Sequence, residues 1–194
     1  NGMAEKNFNK LVSFGLNKYL VSTNLNGCEF SNQLIIEALR NTDNRIKNNQ
    51  SVTPGFLIAA LLWPQLIKKS LKGNEINLKK FFRSMDSILR NQQKITAIPR
   101  KFNSYIKDIW VLQLKLHSRI GRQPYKTLKH PRFRAAYDFL LVREKATAKT
   151  KDLGFWWTEF QKNNEDLKKK LINDLKKNNL EESSKIFGFS KELR

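Results

Sequence analysis

Apolar residues recur every three to four positions along most of the chain, and no useful stretch alternates apolar and polar residues with a period of two. A period near 3.6 is typical of amphipathic α-helices. We therefore predict an all-α fold, with about seven helices packed around an aromatic-rich core and no sheet. The first six predicted helices begin near Ala4, Ser31, Pro54, Ile76, Pro99 and His130, and a Lys-rich helix follows the aromatic cluster that ends at Phe160.

End signals support several of these boundaries. Thr53-Pro54 is typical of an N-cap followed by proline at the first helical position. Pro64 falls inside the apolar run that follows, so we expect the third helix to kink or end near Trp63. His130 precedes Pro131, and its simplest predicted role is to cap the sixth helix.

Large aromatic side chains at helical spacing more often build a core than bind a ligand. We therefore expect Trp63, Trp110 and Trp157 to be buried. The same reasoning favours core packing for Phe133, although Arg132 and Arg134 flank it and a base could stack on its ring.

The fifth predicted helix, which runs to about Ser118, separates apolar and basic residues. At 3.6 residues per turn its basic side chains fall within an arc of about 120°, opposite the apolar side. These candidate RNA-binding residues are Arg100, Lys101, Lys107, Lys115, Arg119 and Arg122. His130 and Arg132 complete the candidate set, and the alternative is a solvated helix face without a ligand.

The net charge of the chain favours RNA binding at this helix face over a face that only contacts solvent. The 37 Lys and Arg against 17 Asp and Glu give a net charge of +20 over 194 residues. Residues 61–145 alone hold twenty basic and five acidic residues. A local excess of this kind favours a polyanionic partner.

Candidate catalytic chemistry is missing from the pattern. No pair of carboxylates is spaced to converge on Mg²⁺, and no Gly-rich phosphate loop is present. One cysteine, Cys28, and two histidines predict no metal site. The longest apolar block, residues 56–63, is too short to span a bilayer, and no signal-peptide pattern opens the chain. We expect a soluble cytoplasmic protein.

Several blocks resemble bacterial poly(A) polymerases, in the family's order and spacing, over about residues 1–162. They are residues 38–47, 54–63, 97–100, 108–114, 156–161 and, most specific of all, the block HPRFRAAYDFL at 130–140. The resemblance implies a class II nucleotidyltransferase that adds AMP from ATP to RNA 3′ ends. The family carries a catalytic head, a helical neck and an all-helical body.

The resemblance also implies a domain division and partners. Residues 1–25 would be the end of the neck, 26–180 the body, and 181–194 a weakly ordered tail. The catalytic head, with its ATP and Mg²⁺, is expected outside this chain, so no catalytic residue or cofactor is assigned here. The expected partners are RNA 3′ ends and the protein's own head and neck, which Arg40 and Arg45 could contact.

Other functions remain open from the sequence. The chain could be a stand-alone basic helical module that binds nucleic acid or a protein, or the body of a tRNA CCA-adding relative. Attachment to an anionic membrane surface through basic helices is a weaker alternative.

Overall fold

The computed structural model describes residues 6–7, 9–10, 29–73, 75–96, 98–147 and 151–178. The described part contains eight α-helices and one short pair of strands. In chain order these are α1 (Glu29–Lys47), α2 (Pro54–Ser70), β1 (Leu71–Lys72), β2 (Glu75–Ile76), α3 (Leu78–Gln93), α4 (Lys101–Leu116), α5 (Gln123–Leu128), α6 (Phe133–Thr147), α7 (Lys151–Lys162) and α8 (Glu165–Asn178). The all-α prediction is confirmed. The predicted first helix, the neck segment 1–25, Cys28 and the tail 181–194 lie outside the described ranges, apart from residues 6–7 and 9–10, which are helical.

The expectation of no sheet is wrong at one turn. Strands β1 and β2 pair antiparallel, with Leu71 opposite Ile76 and Lys72 opposite Glu75. Gly73, between them, has a φ of 63°, a left-handed conformation that glycine adopts without a steric penalty. Two-residue strands are too short to show a period of two, which is why the pattern did not indicate them.

The third helix does not end at Pro64, because α2 continues through it to Ser70. A proline inside a helix costs roughly 3 kcal/mol. Eleven of the seventeen residues of α2 are buried, Trp63 and Pro64 among them, so tertiary packing outweighs that cost. The start of the helix is as predicted, with Thr53 as N-cap and Pro54 in the first turn.

Two other boundaries differ from the prediction. Helix α3 begins at Leu78, because Asn77 is its N-cap and accepts a hydrogen bond from Lys80 N at 3.0 Å. Helix α4 ends at Leu116, and the short helix α5, which was not predicted, follows it.

The helices enclose two adjoining apolar clusters. In the first, α2 packs against α1, α3 and α4, and Trp63, Phe81 and Trp110 are fully buried. In the second, α6, α7 and α8 gather around the end of α4, with Trp157 and Phe160 fully buried. Helices α4 and α6 contribute to both clusters, so they hold the two halves together.

The aromatic core predicted from the sequence is confirmed. Trp63, Trp110 and Trp157 are 0% exposed and Phe133 is 5% exposed. The indole nitrogen of Trp110 donates to Ala59 O at 3.0 Å, and that of Trp157 donates to the carbonyl of Leu116 at 2.9 Å. Among the described residues, no helix has the length and apolarity needed to cross a membrane.

Candidate nucleic-acid interface

The predicted basic face of helix α4 is present over the helix itself. Lys101 and Lys115 are exposed, and Arg100, the residue before the helix, is exposed as well. Lys101 Nζ lies 5.4 Å from the ring centroid of Phe102. These three side chains lie at the surface, where a phosphate backbone can reach them.

Lys107 lies on the same face but already has a partner. Its Nζ lies 2.5 Å from Asp86 Oδ1, which ties α4 to α3. The two side chains are 32% and 56% exposed, so the pair is at the surface. An exposed pair of this kind opens at little cost, and Lys107 can exchange Asp86 for a phosphate.

Arg119 and Arg122 do not continue the α4 face, because the helix ends at Leu116. The Arg119 guanidinium lies over the Trp156 ring, 5.7 Å from its centroid, so this side chain covers the second cluster. Arg122 is exposed at the N-cap of α5. The predicted continuous arc of six cations is therefore divided between a helix and the segment after it.

Arg45 lies in a cleft formed by α1, α2, α4 and α6. It is in the last turn of α1, where a cation interacts favourably with the helix dipole. Its Nε donates to Ser51 O at 3.1 Å and its Nη1 lies 3.1 Å from Asp138 Oδ2. Arg134 Nε contacts the other oxygen of Asp138 at 3.1 Å, four residues further along α6.

The same cleft contains Arg132. His130 Nδ1 accepts a hydrogen bond from Arg132 N at 3.1 Å, in the turn just before α6 begins at Phe133. This bond fixes the turn rather than a helical N–H, so a capping role for His130 stays a prediction. The Arg132 guanidinium lies 5.0 Å from the centroid of the Tyr105 ring. The cleft has a volume of about 230 Å³, and we call it the Arg45–Arg132 cleft. Its lining residues include Asn41, Arg45, Tyr105, Arg132, Arg134 and Asp138.

A glycine fixes the Tyr105 wall of the cleft. A Cβ on Gly55 would lie 2.8 Å from Tyr105 Cδ1, closer than a carbon contact allows. The ring therefore packs directly on the backbone at the start of α2.

Arg40 does not belong to this cleft. Its Nη1 lies 2.7 Å from Glu37 Oε1 on the exposed side of α1. Arg40 therefore has a local carboxylate partner, Glu37, three residues before it on the same helix.

Helix α3 carries a basic stripe that was not predicted from the sequence. Lys79, Arg83 and Arg90 are exposed, and Phe82 beside them is 46% exposed. Their i, i+4, i+11 spacing places the three cations within about 40° on a helix of 3.6 residues per turn. That spacing is visible in the sequence, but only the apolar positions of this helix were used to predict its role.

Burial removes two acids but only one cation, Arg143, from the surface of residues 61–145. Asp138 and Glu144 account for two of the five acids in residues 61–145, and both are buried. Burial raises the pKa of Asp138, while Arg134 and Arg45 lower it in part. Burial likewise raises the pKa of Glu144, whose Oε1 accepts a hydrogen bond from Gly154 N at 2.8 Å.

His117 is a packed side chain rather than a surface ligand. Burial, together with the positive charges of Arg143 and Arg119, lowers its pKa to about 3. It is therefore neutral at physiological pH. No group of three or more His, Cys, Asp or Glu in the described part of the chain could hold a metal ion.

Comparison with known proteins identifies relatives of this chain. A family model described as "Polymerase A arginine-rich C-terminus" matches residues 74–186. Poly(A) polymerase I of Salmonella typhi is 36% identical over 156 residues, which cover 77% of this chain and 34% of that protein. The corresponding protein of Escherichia coli O157:H7 has the same identity and coverage. Poly(A) polymerase I of Haemophilus influenzae is 34% identical over 150 residues, covering 75% of this chain and 33% of its own.

Fold, charge and comparison together define a class: a basic, all-helical C-terminal region of the polymerase A family. The chain belongs to the family of polymerase A arginine-rich C-terminal regions, and its resemblance to bacterial poly(A) polymerases is confirmed. It spans about a third of the length of the curated relatives it matches.

Proposed function

We propose that this chain is the RNA-binding helical body of a poly(A) polymerase, a protein that adds AMP from ATP to RNA 3′ ends in the cytoplasm. The family match over residues 74–186 and the names of the relatives support this proposal, and they favour poly(A) addition over tRNA CCA addition. In the whole protein we expect the chain to contact the catalytic head and neck.

The chemical step belongs to the catalytic head, which is expected to hold ATP and Mg²⁺. Adenylyl transfer needs carboxylates that converge on the metal. Glu144 is instead buried in a packing contact, and Asp86 is paired at the surface. We therefore expect the chain by itself not to extend an RNA primer when ATP and Mg²⁺ are added.

The observation that carries RNA binding is the set of exposed cations with few exposed acids around them. Arg100, Lys101, Lys115 and Arg122 are exposed, and the stripe on α3 adds three more. Single-stranded nucleic acid binds to grooves or faces that combine such cations with accessible rings. Phe82, beside the stripe, offers an accessible ring.

The test is the affinity of the chain for a labelled single-stranded RNA of about 12 nucleotides, measured by fluorescence anisotropy. The double variant Lys115→Glu/Arg122→Glu reverses two exposed charges, and we expect it to weaken binding at least tenfold with an unchanged melting temperature. Arg119 is not a suitable target, because its contact with Trp156 contributes to packing.

The matched control is Lys169→Glu/Lys170→Glu on α8, where the same charge change is made among acids such as Asp166. It should weaken binding far less than the first double variant does. Absence of RNA binding by the parent chain would refute the proposal. Equal losses in the two double variants would refute the assignment of the surface.

A further inference from the structure

The Arg45–Arg132 cleft contains more hydrogen-bond donors and positive charge than its protein partners use. Three guanidinium groups line it, and Asp138 is the one carboxylate in its lining. Asp138 contacts a single nitrogen of Arg45 and a single nitrogen of Arg134. A guanidinium has five N–H donors, so most donors of these arginines remain for another acceptor.

Asp138 also holds two of the guanidiniums in place. Its side chain is 10% exposed, and its two oxygens separate Arg45 from Arg134. Arg45 is further fixed by its bond to Ser51 O. Most of the cost of ordering Arg45 is therefore met before a ligand arrives, which favours anion binding, whereas the Arg134 side chain is 70% exposed and retains more of that cost.

Two further features point to what the anion carries. The Oδ1 of Asn41 is buried at the cleft and accepts no hydrogen bond from the described residues. A buried acceptor of this kind favours a ligand that brings a hydroxyl or amino donor. The first turn of α6, which includes Arg134 and Ala135, also lines the cleft, and a helix N-terminus attracts anions.

The size of the cleft limits the ligand. A volume of about 230 Å³ is below the roughly 300–1,000 Å³ of pockets that enclose a drug-sized molecule. One phosphate with its sugar fits this space better than a complete nucleoside triphosphate.

We propose that the Arg45–Arg132 cleft binds one ribose-phosphate unit. The phosphate contacts the guanidinium groups of Arg132 and Arg134, and a ribose hydroxyl donates a hydrogen bond to Asn41 Oδ1. The unit can come from an RNA chain or from a free mononucleotide. Binding of the unit as part of an RNA chain rests on the proposed function, whereas binding of a free ribose-phosphate rests only on the residues of the cleft.

The main variant is Arg132→Gln, which removes one charge from an exposed side chain. We expect it to weaken binding of single-stranded RNA about tenfold, as the loss of one bidentate guanidinium–phosphate contact does. The log–log salt slope should become shallower by about 0.7. Lys170→Gln on α8 is the matched control and should change the affinity less than about twofold.

Asn41→Ala tests the ribose contact separately. The parent chain should bind RNA more tightly than DNA of the same sequence, because DNA lacks the 2′-hydroxyl group. The variant should lose that preference, and an unchanged melting temperature shows that the fold is intact.

A second arm uses AMP with the ¹⁵N-labelled chain. Saturable shifts of the Nε–H resonances of Arg45 and Arg134, abolished in Arg132→Gln, would assign the cleft to a free mononucleotide. If the chain binds no RNA, the proposed function is refuted, and the AMP experiment then tests the cleft by itself. The proposal that the cleft binds a ribose-phosphate unit is refuted if Arg132→Gln leaves RNA binding unchanged and AMP shifts none of these resonances. An equal loss in Lys170→Gln would overturn it as well.

Discussion

Replacing Gly154 with alanine tests the packing between α6 and α7. Gly154 N donates to the buried carboxylate of Glu144 at 2.8 Å. An added Cβ would meet that carboxylate and would lie 2.7 Å from Leu141 Cδ2. The methyl group therefore fits only if the side chains of Glu144 and Leu141 shift or the two helices move apart.

The magnitude follows from three contributions. Overpacking of a filled site costs about 1–3 kcal/mol. Disturbing the hydrogen bond to buried Glu144 adds about 1–3 kcal/mol, and the better helix propensity of alanine returns up to about 1 kcal/mol. We therefore expect Gly154→Ala to lower the free energy of unfolding by about 3 kcal/mol, measured by urea denaturation.

A matched control separates space from backbone conformation. Gly121 has a φ of 63° and open space around its Cα, so Gly121→Ala costs only backbone strain of about 1–2 kcal/mol. Adding Glu144→Ala should relieve part of the Gly154→Ala loss, with a coupling energy above about 0.5 kcal/mol, and should leave the Gly121→Ala loss unchanged. The close packing of α6 against α7 at Gly154 is refuted if Gly154→Ala is as stable as the parent, or if its loss shows no coupling to Glu144→Ala.

Three smaller predictions concern individual contacts. The pKa of His117 falls from 6.5 to about 3 on folding, so its contribution to stability is complete above pH 6.5 and is lost as the pH falls toward 3. The stability difference between the parent and His117→Gln should therefore shrink by up to about 1.4 kcal/mol per pH unit in that window, and a difference independent of pH would contradict it. Trp110→Phe removes the donor to Ala59 O and should cost about 1–3 kcal/mol in urea denaturation, whereas a neutral result would exclude that bond. Asp86→Asn breaks only the exposed pair with Lys107 and should change the free energy of unfolding by less than about 1 kcal/mol, and a larger loss in the same assay would show the pair to be structural.

Local signals in the sequence were enough to predict much of the fold. Thr53-Pro54 and His130-Pro131 mark helix starts through interactions within a few residues, and helices do begin at Pro54 and at Phe133. The burial of Trp63 and Trp157 followed from helical periodicity. The continuation of α2 through Pro64 could not be predicted, because it depends on the packing of other helices around α2.

The candidate site was less predictable, because its contacts join residues far apart in the chain. Arg45 and Asp138 are 93 positions apart, and Lys107 and Asp86 are 21 positions apart. Helical periodicity describes one element at a time, so it placed Lys107 on a basic face without its partner. The role of Arg119 over Trp156 depends on the fold of the segment after α4, which no local pattern indicated.

The central claim is that exposed cations of this chain bind the phosphates of RNA, and the salt dependence of RNA binding tests it most directly. Each phosphate contact with a single strand contributes a log–log slope of about −0.7. Contacts from Arg100, Lys101, Lys115 and Arg122 predict a slope of about −3 or steeper, and Lys115→Glu/Arg122→Glu should make it shallower by at least about 1.4. A slope near zero, or one that the double variant leaves unchanged, would contradict the claim.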